Sequence, residues 1–285
     1  MSESMFQQER DARGVVRLTL ERPEVHNAFN DSLIAALTEA LDALGRDVGV
    51  RAVVLAARGK SFSAGADLGW MQRMAGYGRE ENLADARALA KLMATLNELS
   101  KPTVALVQGP AFGGGVGLVA CCDMAIAAES ASFSLSEVKL GLIPAVISPY
   151  VVAKIGEAAA RRYVLTGERF TAARALDLGL VQEVVAAEEL EAAGARLLEV
   201  LLASGPEAQR EAKALIRDVV GQPIEAALIE ETASRIATVR AGKEAREGIG
   251  AFLEKRKPRW AIREEQVQEI RETAPSRPSP PEGEG

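Results

Sequence analysis

Two hydrophobic periods divide this chain. Short apolar runs recur at Val15–Leu20, Arg51–Ala56, Thr103–Val107, Met124–Ala128 and Ser132–Leu135, and each reads as a strand, the first two being rich in β-branched residues. Between the first two, Leu33, Leu37, Leu41 and Leu44 return at helical spacing, with Asn30 or Asp31 placed to cap the helix. A second helix is expected from about Leu83 to Leu99, with Leu89, Leu92, Met93 and Leu96 on one face, ending before Pro102. A third apolar run, Leu118–Cys122, follows three consecutive glycines, Gly113, Gly114 and Gly115. Strands that alternate with helices indicate an α/β architecture with mostly parallel sheets.

After about residue 186 the strand pattern stops. Glu188–Leu202, Pro206–Val219, Ile224–Val239 and Lys243–Glu254 read as helices, and Ser204 with Glu207 reads as a capping box. Helices this amphipathic must cover one face, on the first half or on another subunit. Beyond Trp260 the chain turns charged, and from Pro275 to Gly285 it is rich in Pro, Ser, Gly and Glu, the composition of a disordered tail. The expected organisation is a core at residues 1–197 that carries the site, a helical oligomerisation module at 198–262 and a tail at 263–285.

Composition narrows the classes. The chain has 285 residues, 48% of them hydrophobic, enough for one large core. Only 4% are aromatic, so that core is aliphatic. A net charge of −6 argues against general nucleic-acid binding. No apolar run approaches the roughly 20 residues of a membrane span. The polar stretch Met1–Asp11 lacks a signal peptide's apolar segment. Cys121 and Cys122 are adjacent, cannot easily pair with each other, and read as small buried hydrophobes. A cytoplasmic location is the resulting expectation.

The glycine run is the strongest chemical signal. It stands between a strand and a helix, where unpaired N–H groups carry the positive end of the dipole. Such a place stabilises a bound anion or a developing oxyanion. Val116-Gly117 lacks the Lys-Ser/Thr of a phosphate loop, and Leu118 stands where a dinucleotide fingerprint needs its last Gly. Glycines that merely allow close helix–strand packing remain the alternative. A second small-residue loop, Gly59 to Leu68, also follows a strand, and two such loops can supply two N–H donors to one oxygen. Within it Asp67 can instead cap the next helix. Glu137 is the one acidic residue in a mostly uncharged stretch and, if buried, can take and give a proton near neutral pH. His26 is the sole histidine and no Gly-x-Ser-x-Gly elbow is present, so His26 reads as structural or ligand-lining. No Cys, His and Asp cluster has metal-ligand spacing.

Taken in order, Arg22-Pro23…Asn27-Ala28, Phe62-Ser63-Ala64-Gly65-Ala66-Asp67, Gln108-Gly109…Gly113-Gly114-Gly115, Cys122-Asp123 and Phe133…Glu137…Gly141…Pro144 resemble the crotonase (enoyl-CoA hydratase/isomerase) superfamily over about residues 5–260. Ala251 to Pro258 matches that superfamily's C-terminal motif. The resemblance implies a spiral of ββα repeats with a C-terminal helical trimerisation module, assembled as a homotrimer or dimer of trimers. It implies an acyl-CoA thioester as substrate, CoA being carried on the substrate with no separate cofactor. The thioester oxygen would lie between the N–H groups of Ala66 and Gly114, with Glu137 as the acid–base. Val25, Ala28, Ala64, Ala66, Asp67 and Leu68 would line CoA, completed by Phe252 and Lys255 of a neighbouring subunit. Gly117, Trp70, Met71 and Tyr150 would line the acyl pocket.

One departure stands out. Hydratases of this superfamily usually carry two glutamates, and the first is Gly117 here. The local sequence is similar to a bacterial branch containing methylglutaconyl-CoA and carboxygeranoyl-CoA hydratases. Three readings follow. One is a hydratase of a branched 2-enoyl-CoA, with Lys139, Arg73 or Tyr150 meeting the substrate's distal carboxylate. The second is an isomerase with Glu137 as sole base. The third is a CoA-binding oligomer without catalysis.

Overall fold

The computed structural model describes residues 5–261. The expected tail, 263–285, lies outside them. In chain order the elements are β1 (Phe6–Arg10), β2 (Val15–Leu20), α1 (Asp31–Arg46), β3 (Ala52–Ala57), α2 (Leu68–Met74), α3 (Arg79–Asn97), β4 (Thr103–Val107), β5 (Ala111–Phe112), α4 (Gly114–Cys121), β6 (Met124–Ala128) and β7 (Ser132–Ser134). They continue with α5 (Ser148–Thr166), β8 (Phe170–Thr171), α6 (Ala172–Asp177), β9 (Glu183–Val185), α7 (Leu190–Ala203), α8 (Pro206–Val219), α9 (Ala226–Ala241) and α10 (Lys243–Leu253).

Six strands form one sheet in the order β1-β2-β3-β4-β6-β9. Every pairing is parallel except β1 with β2. A smaller sheet, β5-β7-β8, stands beside it, with β5 and β7 parallel. Strands β3 and β4 are buried on both faces, which is why they read as continuous apolar runs rather than alternations. On one face Leu33, Leu37 and Leu41 of α1, Leu92, Met93 and Leu96 of α3, and Val116 and Leu118 to Cys121 of α4 fill the core. On the other, Leu190, Ala193 and Leu198 of α7 cover Val54, Val104, Leu106 and Ile126.

Several sequence expectations need correction. The polar segment of β1 carries no strand pattern, yet it pairs at the sheet edge, where half of its side chains face water. The helix expected from Leu83 begins at Arg79, and Asn30 rather than Asp31 caps α1, its side chain accepting from the Leu33 N–H. The Ser204–Glu207 capping box does not form. Gly205 precedes Pro206 at the start of α8, and the N–H groups of Glu207 and Ala208 donate instead to the Glu244 carboxylate of α10, at 3.0 and 2.8 Å. The expected boundary at residue 197 falls inside α7, a helix that packs on the sheet.

The last three helices bury little. Within the chain α8 and α9 bury no residue and α10 only Ala251, while Ile216, Ile229, Ile249 and Phe252 stand exposed. One tie to the core is polar: Lys213 of α8 pairs with Asp123 at 2.9 Å, and Asp123 also accepts from the N–H and hydroxyl of Thr103.

Candidate active site

The glycine turn is held between two other segments. Residues 22–29 form the first. Asn27 is fully buried with a positive φ of 53°, which Asn tolerates better than most residues. Its amide donates to the Arg58 and Ser61 carbonyls and accepts from the Arg22 N–H, each at 2.8 Å. The Ser63 hydroxyl donates to the Asn27 carbonyl and the Ala64 N–H to that of His26. Segment 22–29 thereby pins the loop that ends at Asp67.

Phe29 then pairs with that loop as a parallel bridge about Ala66. The Phe29 N–H donates to Gly65 O at 2.6 Å, and Phe29 O accepts from Asp67 N–H at 2.8 Å. In this pattern the intervening residue turns its own N–H to the opposite side. Ala66 therefore presents its N–H away from Phe29. A Cβ on Gly65 would lie 3.1 Å from Phe112 O and 3.9 Å from Gly113 Cα, so this loop packs on the glycine turn.

Gly113 caps α4 at φ 50° and ψ −119°, a conformation that L side chains rarely adopt. Its N–H donates to Ser134 O at 2.9 Å. Gly114 opens α4, so its N–H has no intrahelical acceptor. A Cβ on Gly114 would lie 2.8 Å from the Phe29 ring, and one on Gly115 would lie 2.7 Å from Ser63 O. Close packing therefore holds the glycine turn against Phe29 and Ser63, and it leaves the Gly114 N–H outside the helix's own hydrogen bonds.

Glu137 completes the cluster. It lies in a 3-10 turn, Ser136–Leu140, that Gly141 ends at φ 72°. A Cβ on Gly113 would meet Glu137 Oε1 at 3.0 Å, so the carboxyl faces the glycine turn. Its Oε2 is buried with no hydrogen-bond partner. Burial raises the Glu137 pKa above the ordinary carboxylate range, against a smaller lowering by its own backbone N–H. A carboxyl of this kind beside unpaired N–H donors can move a proton next to a polarised carbonyl.

Gly117 is one turn further along α4 and is buried. A Cβ there would collide with Ile147 Cγ2 and would lie 3.3 Å from Met93 Cε. The place where a first glutamate would start is thus walled by apolar groups. Sequence reasoning misses Ile147, since nothing in Ala145-Val146-Ile147 marks it as facing position 117.

The other candidates divide. Asp67 caps α2, accepting from the Gly69 and Trp70 N–H groups, and pairs with Arg22 at 3.0 Å. Burial opposes its ionisation, but Arg22 and those N–H groups outweigh it and hold its pKa below the ordinary range. Arg22 also donates to Ala28 O at 2.6 Å. Val25 and Ala64 are half-buried, Ala28 is buried, and Leu68 is exposed at the start of α2. Trp70 is buried in the core while Met71 is half-buried. His26 is exposed, its Nδ1 3.0 Å from the Ser61 hydroxyl.

None of the three expected carboxylate partners is held at the glycine turn. Arg73 pairs with Asp31 at 2.8 Å. Lys139 is exposed and lays its stem against Gly167. Burial raises the pKa of the Tyr150 hydroxyl, with smaller rises from Cys121 and Glu98. Phe252 and Lys255 are exposed at the end of α10, which packs on α8 and α9. The buried thiols of Cys121 and Cys122 are pushed up in pKa by desolvation and are no nucleophiles. A cavity of about 680 Å³ lies between α8, α9 and α10, lined by Glu231, Arg235 and Trp260, and holds none of the candidate residues.

Comparison with known proteins identifies the family. The enoyl-CoA hydratase/isomerase family pattern matches residues 10–263. The 2,3-dehydroadipyl-CoA hydratase of Escherichia coli is 35% identical over 246 residues, covering 86% of this chain and 94% of that one. An enoyl-CoA hydratase of Shewanella pealeana superposes with a TM-score of 0.88 at 44% identity, covering 91% of this chain and 97% of the other. Pseudomonas aeruginosa AtuE superposes at 0.87 with 38% identity, covering 91% of this chain and all (100%) of the other. Among the described residues no helix is long and apolar enough to cross a membrane. The chain is a lyase of the hydratase kind with the crotonase fold, and it belongs to the enoyl-CoA hydratase/isomerase family.

Proposed function

We propose that the chain adds water reversibly to a branched 2-enoyl-CoA, with 3-methylglutaconyl-CoA and 3-hydroxy-3-methylglutaryl-CoA as the pair, a step of leucine catabolism. The observation that carries this reading is the carboxylate at the glycine turn: Glu137 faces Gly113, and position 117, where a first glutamate would start, is walled by Ile147. The thioester oxygen accepts from the N–H groups of Ala66 and Gly114. Glu137 takes a proton from water as the oxygen bonds to C3, and the C2–C3 electron pair moves into the enolate. The same carboxyl then protonates C2. In reverse, a tertiary hydroxyl leaves from a carbon that tolerates positive character, so the C3–O bond breaks without a second acid.

The name of the Escherichia coli relative describes an enoyl-CoA with a distal carboxylate, which supports a substrate of that class. Val25, Ala28, Ala64, Asp67 and Leu68 line the CoA moiety, and the reaction needs no cofactor beyond the CoA on the substrate. We place the enzyme in the cytoplasm as a homotrimer or dimer of trimers. The exposed Ile229, Ile249 and Phe252 support that assembly, with Phe252 and Lys255 meeting CoA on a neighbouring copy. The same single carboxylate favours a second reading, an isomerase in which Glu137 carries a proton from one acyl carbon to another. Turnover of an acyl-CoA panel in oxygen-labelled water, read by mass spectrometry, separates the two. Label in a 3-hydroxyacyl product supports hydration, and double-bond migration without label overturns it.

A further inference from the structure

One guanidinium grips both sides of the bridge that presents Ala66. Arg22 Nη1 donates to Ala28 O at 2.6 Å, and Nη2 pairs with Asp67 Oδ2 at 3.0 Å. Ala28 directly precedes Phe29, and Asp67 directly follows Ala66. The fork therefore spans two segments already joined by the backbone bonds from Phe29 N–H to Gly65 O and from Asp67 N–H to Phe29 O, the bonds that turn the Ala66 N–H away from Phe29. The Arg22 and Asp67 side chains are each 16% exposed.

Arg22 is itself fixed at the backbone. Its N–H donates to Asn27 Oδ1, and its carbonyl accepts from the N–H groups of Asn27 and Val25. Asn27 is the fully buried residue that also reaches the Arg58 and Ser61 carbonyls. At the other end Asp67 Oδ1 accepts from the Gly69 and Trp70 N–H groups, which ties the carboxylate to the start of α2. A continuous set of hydrogen bonds thus runs from a buried amide, through Arg22, to the residue next to Ala66. Stability alone is a poor account of it, because the cost of desolvating such a pair offsets much of its attraction. What a planar fork adds is direction, since its two donors leave one guanidinium at fixed angles.

We propose that Arg22 is a positioning residue for the reaction: its fork to Ala28 and Asp67 sets the direction in which the Ala66 N–H meets the thioester oxygen. Arg22 touches no reacting atom and acts through Asp67 and Ala66. This rests on the Ala66–Gly114 site proposed above and deepens it by naming what aims one of its two donors. A donor stabilises a developing oxyanion only within a narrow range of distance and angle. Loss of the fork leaves Ala66 held by backbone bonds alone, and a displacement of about 1 Å costs up to about 10²-fold in rate.

The test reads the carbonyl itself. Butyryl-CoA, which has no double bond to hydrate, is isotope-labelled at its thioester carbonyl and bound to the enzyme, and the carbonyl stretch is followed by infrared difference spectroscopy. Hydrogen bonds from Ala66 and Gly114 lower that frequency in the wild type. Arg22→Met combined with Asp67→Asn removes both charges together, so that no unpaired charge is left buried, and Asn still caps α2. In this double variant the downshift shrinks, and kcat for 3-methylglutaconyl-CoA falls about 10–10²-fold while KM changes less. Arg22→Lys keeps the charge beside Asp67 but concentrates its donors at one point, and it gives an intermediate downshift. A full downshift in the double variant overturns the positioning role. If the double variant does not fold, a full downshift in Arg22→Lys overturns it. A wild type that shows no downshift overturns the Ala66–Gly114 site instead.

Discussion

Adding a single methyl group at position 117 tests the apolar wall directly. In Gly117→Ala the new Cβ collides with Ile147 Cγ2, lies 3.0 Å from Ile147 Cβ and lies 3.3 Å from Met93 Cε. Met93 can swing away, but Ile147 is β-branched, fixed at the start of α5 and 2% exposed. Overpacking of this kind costs about 1–3 kcal/mol, offset by the roughly 0.5–1 kcal/mol that Ala gains over Gly inside a helix. The net loss is about 0–2.5 kcal/mol, a fall of up to roughly 10 °C in the unfolding midpoint for a domain of this size. Ile147→Ala alone costs about 2–5 kcal/mol by emptying its place. In the double variant the methyl added at position 117 enters that space, so the two losses fall short of their sum by about 1–3 kcal/mol. Ile147→Val keeps Cγ2 and gives no such relief when combined with Gly117→Ala. Thermal unfolding of the wild type, the single variants and both combinations is the assay. Additivity within about 0.5 kcal/mol for Gly117→Ala with Ile147→Ala refutes the contact. The same geometry requires that Gly117→Glu place its carboxylate properly only when Ile147 is also replaced by Ala.

Other expectations follow from the same contacts. Glu244→Ala removes the acceptor for two N–H groups at the start of α8 and lowers stability by about 1 kcal/mol in denaturant titration. Asp67 has a lowered pKa, so its stabilisation is present above the ordinary carboxylate range and is lost as pH falls through the lowered value; Asp67→Asn should flatten that acid limb of stability. Glu137 has a raised pKa and runs the other way: folding is penalised as pH rises from the ordinary value, about 4.3, through the raised one. Relative to Glu137→Gln the wild type therefore loses stability over that window, and this is read from unfolding midpoints at several pH values. Its activity as a base should rise through the same raised pKa.

Much of the frame was legible because burial on both faces leaves strong patterns. The apolar run Thr103–Val107 is the fully buried β4, and the four leucines of α1 are all buried. The glycine run marked the turn that now holds Gly114, Glu137 and the Ala66 loop together. What escaped was either polar or tertiary. Strand β1, Phe-Gln-Gln-Glu-Arg, is held by pairing to β2 and has no apolar period to betray it. Helix α5 was not anticipated, for Pro149 stands in its first turn and Gly156 breaks it at φ 75°. The capping of α8 by Glu244 could not be seen from Ser204 and Glu207, because the true acceptor is 37 residues away. The same holds for the site. Glu137 could be singled out by its uncharged surroundings, but its place against Gly113 and the Ile147 wall depend on residues that only the fold brings together.

The central claim is that Glu137 alone performs the proton chemistry at the Ala66–Gly114 site. Its most direct test is the turnover of 3-methylglutaconyl-CoA by Glu137→Gln, a change that keeps the size of the side chain and removes the proton-exchanging carboxyl. The account predicts that kcat falls about 10²–10⁴-fold while the protein stays folded. Turnover retained at the wild-type level, in a folded Glu137→Gln protein, would contradict it.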